Sequence, residues 1–105
     1  MTPQRTQQWT AILHLTHQML KAAHDQEWET LVDMEFNRRQ LITDFFTVSA
    51  QPDEVMDITE GTHEILTMDK EIMTLSRKQR DLVGEKLTEI KKNQQVKKAY
   101  LQNSG

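Results

Sequence analysis

Apolar side chains recur at helical spacing along almost the whole chain, and the breaks between the runs are short. Trp9, Ile12, Leu13, Thr16, Met19, Leu20 and Ala23 follow one another at steps that suit one face of a helix. Thr2 and Pro3 precede this run. A capping hydroxyl, followed by a proline whose missing N–H costs nothing in a first turn, predicts a helix start there. The first helix is therefore expected over about 3–23. Asp25 is placed to cap a second helix ahead of Glu27, Trp28 and Glu29, which is expected over about 26–47. So short a break makes the first two helices an antiparallel hairpin. The segment from Thr47 to Pro52 reads as the next connection, because Pro52 disfavours helix at Gln51 and suits the first turn that follows. From Asp53 to about residue 93 only Gly61 and Gly84 interrupt the pattern. Each costs about 1 kcal/mol relative to alanine, too little to end so long a run. Val55, Ile58, Thr62, Ile65, Asp69, Ile72, Ser76, Gln79, Val83 and Ile90 keep a heptad-like seam, with Leu66, Met73, Leu82 and Leu87 beside it. The expected fold class is all-α: an antiparallel bundle of three helices, two short and one long over about 53–93. Residues 94–105 form a tail or a short fourth helix carrying Val96, Tyr100 and Leu101.

The second helix has more apolar surface than one core contact can hide. Trp28, Leu31, Val32, Met34, Phe36, Leu41, Ile42, Phe45 and Phe46 cover an arc of roughly 220° to 240° at roughly 100° per residue. A helix docked on one core needs a stripe of about 100° or somewhat more. The edge carrying Met34, Leu41, Phe45 and Val48 lies well away from Trp28, Val32 and Phe46. Burial between two neighbouring helices and a face kept open for a partner both account for this width. The third helix adds to the surplus, since two helices of about 20 residues cover only part of one of about 40.

Composition narrows the classes. A chain of 105 residues suits one domain with a modest core. The absence of cysteine excludes disulfides, thiol catalysis and cysteine metal sites, and fits a reducing cytoplasm. No apolar segment follows a basic start, and no apolar run approaches the roughly 18 residues that span a bilayer, so no membrane insertion is expected. The net charge of -3 hides a division: residues 1–76 carry 5 basic and 13 acidic side chains, residues 77–98 carry 8 and 3. This asymmetry can mark a surface for nucleic acid or a transcription regulator, through Arg77, Lys78, Arg80, Lys91, Lys92, Lys97 and Lys98. Glu85, Lys86, Glu89, Lys91 and Lys92 interleave the signs as an exposed helix does. A homodimer through the long helix is a further alternative.

Catalytic and metal constellations are missing from the pattern. His14 and His17 share a face with Lys21, and no acidic residue joins them at a helical step; His24, His63 and Glu27 do not complete a ligand set. Arg80 and Lys91, with Ile72, Leu75, Leu82 and Val83, resemble the long first helix of all-helical chorismate mutases, where a basic pair binds two carboxylates. The later acidic and glutamine positions of that family do not follow. No nucleophile–base pair, glycine-rich phosphate loop or HExxH motif is present. No enzyme, cofactor or metal is expected. Glu35 and Arg39, spaced i to i+4 within the apolar arc, read as a structural ion pair.

One family shares these features. Leu20, Ala23, Glu27-Trp28, Leu31-Val32, Glu35 and Arg38-Arg39, followed by Ile65-Leu66, Asp69, Ile72, Leu75, Arg80-Asp81, Leu87, Lys91-Lys92 and Ala99-Tyr100, resemble the flagellar export chaperones of the FliT type. The resemblance runs from about Trp9 to Tyr100. It implies a cytoplasmic helical chaperone that binds the C-terminal segment of the filament-cap protein, prevents premature assembly and delivers the subunit to the flagellar export apparatus. In some members it also implies binding of the master flagellar transcription regulator. The residues expected to meet the partner are Met34, Leu41, Phe45, Met68, Met73, Leu75 and Tyr100. An amphipathic client helix suits them, and methionines adapt to varied shapes.

Overall fold

The computed structural model describes residues 1–103. Its elements are α1 (Pro3–His24), α2 (Trp28–Phe45), a 3-10 turn (Pro52–Glu54) and α3 (Val55–Asn103). They divide into two units, residues 1–75 and the part from Ser76 onward.

In the first unit α1 opens with the Thr2 hydroxyl accepting the Arg5 amide at 3.2 Å and with proline in the first turn. Its end differs from the expectation. The amides of Gln26 and Glu27 return to the carbonyls of Ala23 and Ala22 at 3.2 and 2.9 Å, with Gln26 at φ 59°. A left-handed residue that sends these bonds back satisfies the last carbonyls of a helix. Asp25 is thus the C-cap of α1 rather than the N-cap of α2, and α2 starts at Trp28 instead of about residue 26.

Paired contacts give the directions of the helices. His17 and His24 on α1 meet Glu64 and Glu71 on α3, both at 2.9 Å, so these helices advance in the same sense. Along α2 from Leu31 to Phe45, partners on α3 move back from Ile72 to Ile65 and those on α1 from Met19, Ala22 and Ala23 to Trp9 and Ile12. Hence α2 is antiparallel to both. Leu31, Arg38 and Phe45, one heptad apart, mark the inward line of α2.

Phe45 and Met68, both expected at an open face, belong to this core instead. Phe45 is 0% exposed. Its ring lies tilted against Trp9 at 5.1 Å and meets Phe46 edge to face at 5.0 Å, under the Arg5 guanidinium at 3.7 Å. Met68 lies three residues after Ile65 and four before Ile72, on the face that α1 and α2 cover, and is buried.

Arg5 ties three elements together. It donates to the Phe45 carbonyl and holds both oxygens of Glu54, at 3.0 and 3.2 Å. Glu54 also accepts the Gln51 amide at 2.9 Å, closing the turn that leads into α3. The Arg5 guanidinium first, and the Gln51 amide second, hold the Glu54 carboxyl below its usual range. A carboxylate depressed on folding contributes fully above its unfolded pKa of about 4.3, and that contribution is lost as pH falls through the folded value. Wild-type stability is therefore expected to fall more steeply than that of Glu54→Gln as pH drops below about 4.3, as urea midpoints on the acid side would read.

In the second unit α3 continues to Asn103, ten residues past the expected end, so Val96, Tyr100 and Leu101 extend the same helix and form no separate one. Lysine and glutamine are the commonest residues of this stretch and no proline or glycine lies between Gly84 and Asn103, leaving nothing within it to stop the helix. Every side chain from Arg80 to Gln102 is exposed.

Candidate functional site

A three-helix network sits at the middle of the first unit. Arg38 on α2 donates to Asp69 on α3 at 2.6 Å and to the Thr16 hydroxyl on α1 at 3.3 Å. Thr16, fully buried, donates in turn to the Ile12 carbonyl at 2.9 Å. Each of the three side chains thus has a partner within the cluster, as a part-buried ion pair requires.

The pair also sets the register of α2 against α3. Met34 lies four residues before Arg38 and Leu41 three after it; Leu66 lies three residues before Asp69 and Met73 four after it. Side chains three and four apart share a helix face, and the two helices are antiparallel. Met34 therefore falls on the level of Met73, and Leu41 on that of Leu66, with Arg38–Asp69 between the two levels. Met34 is half-buried against the Leu31–Ile72 cluster. Leu41, Leu66 and Met73 are 37%, 61% and 52% exposed. The α2–α3 seam thus carries four apolar side chains on two levels, with the part-buried Arg38–Asp69 pair between them.

Of the residues expected to meet a partner, Met34, Leu41 and Met73 fall along this one seam. Leu75 is half-buried and packs on the same core cluster as Met34. Tyr100 lies in the second unit, 73% exposed. Leu66 was not among them; its signal was the seven-residue step to Met73. Glu35 and Arg39 do pair, at 3.3 Å, but in the open, with side chains 53% and 74% exposed, where an ion pair contributes little. The part-buried pair uses the neighbouring Arg38 instead.

The outer face of α2 carries a second apolar group, Val32 at 65% and Phe36 at 60% exposure. The cations of the second unit lie exposed on one helix among Asp81, Glu85 and Glu89. Among the described residues no group of three or more His, Asp or Glu is placed to hold a metal ion, and no helix is long and apolar enough to cross a membrane.

Comparison with known proteins gives one family. A family model described as the flagellar protein FliT matches residues 6–103. No curated protein and no solved structure matches the chain.

Proposed function

Because the chain belongs to the FliT family of flagellar chaperones, we propose that it binds the C-terminal segment of the filament-cap protein in the cytoplasm and keeps it from assembling early. The α2–α3 groove carries this reading. Its exposed Leu41, Leu66 and Met73 line one seam, where the apolar face of a client helix can replace water. Two methionines, one on each wall, let the groove repack around side chains of different shape. Loaded with its client, the chaperone passes the subunit to the flagellar export apparatus.

Nucleic acid is the weaker reading. Asp81, Glu85 and Glu89 stand among the cations of the basic stretch, where phosphate-driven binding favours an uninterrupted positive surface. Co-purification tests the proposal. The chain is expected to retain the full-length filament-cap subunit and to lose it when the subunit's C-terminal segment is deleted. Equal retention of both forms would overturn it.

A further inference from the structure

The groove is not uniformly apolar, and its polar floor constrains what can lie in it. Met34 and Leu41 are one heptad apart on one wall, Leu66 and Met73 one heptad apart on the other. A helix lying along the seam thus meets its two apolar levels with side chains at i and i+7, about 10 Å apart. Between them, the residue at i+3 or i+4 faces Arg38–Asp69. The side chain of Arg38 is 13% exposed and already bonded to Thr16 and Asp69, whereas that of Asp69 is 32% exposed. The carboxylate is the part of the floor still open to water. A leucine laid over it would strip that water and return no hydrogen bond, whereas a donor would replace it.

Resting on the groove reading above, we propose that the client segment is an amphipathic helix with apolar anchors one heptad apart and a hydrogen-bond donor between them: asparagine, glutamine, serine, threonine or lysine. Arg38–Asp69 then acts as a specificity determinant that rejects helices apolar throughout. This deepens the chaperone reading, because it says which tails the groove selects.

A helical peptide library with leucine fixed at i and i+7, and all residue types at i+3 and i+4, tests it by selection on the full chain and on Arg38→Met/Asp69→Met. Replacing an ion pair by apolar residues of similar size is often neutral for folding, and circular dichroism checks this. Wild type is expected to enrich central donors over leucine by about tenfold, the equivalent of about 1.4 kcal/mol, and the double variant to enrich leucine and isoleucine instead. The same central preference from both proteins overturns the proposal and leaves the groove standing. Failure of wild type to enrich any library member overturns the groove, and the proposal with it. If the double variant does not fold, Asp69→Asn, which keeps an acceptor for Arg38, is expected to lose selection of lysine while retaining asparagine and glutamine. Unchanged lysine selection overturns the proposal.

Discussion

Gly61→Ala is expected to destabilise the chain by about 1–3 kcal/mol, and Gly61→Val by more. Gly61 lies inside α3, where alanine would ordinarily gain about 1 kcal/mol in helix propensity. A Cβ at this position would meet Trp9, however, at 2.5 Å from Nε1 and 2.7 Å from Cζ2. Trp9 cannot easily retreat, being 5% exposed and packed against Phe45. Gly84 supplies the control within the same helix. Nothing lies within 4 Å of the Cβ it would carry, so Gly84→Ala is expected to stabilise by up to about 1 kcal/mol. Urea denaturation of both variants reads the two signs directly. A gain at Gly61 would mean that the indole does not lie against α3.

Leu66→Asp/Met73→Asp is expected to weaken binding of the filament-cap C-terminal segment by at least about thirtyfold while leaving helical circular dichroism unchanged. Truncating a hot-spot residue at the centre of an interface costs about 2 kcal/mol or more, which corresponds to about that factor. A carboxylate goes further, since docking would bury a charge without a partner. Both side chains are more than half exposed in the free chain, so the substitution removes little of the core. Phe45→Asp offers no such separation, because Phe45 is fully buried and its loss would unfold the bundle. Isothermal titration with the isolated C-terminal segment measures the effect.

The pattern of apolar positions announced the three helices, because local spacing and caps such as Thr2 and Pro3 act within a few residues of themselves. The turn after α1 was hidden, since it uses Gln26 in a left-handed conformation that glycine ordinarily supplies. The wide arc of α2 showed that two surfaces were needed, but not which edge met which neighbour. That depends on where α1 and α3 lie around it, a tertiary fact, and it is why Phe45 proved to be core while Leu41 stayed at the groove. The same limit explains the ion pairs. Glu35 and Arg39 are visible as a four-residue step, whereas Arg38 and Asp69 stand 31 residues apart and meet only once the bundle has formed. Leu66 enters the site through that pair, by counting three residues back from Asp69.

Photo-crosslinking tests the groove most directly. A photoreactive phenylalanine analogue is placed in turn at position 66, at position 73 and, on the outer face of α2, at position 36, and each protein is irradiated with the filament-cap subunit. Capture of the subunit's C-terminal segment is predicted from 66 and 73 and not from 36. Capture from position 36 alone would place the client on the outer face and contradict the account.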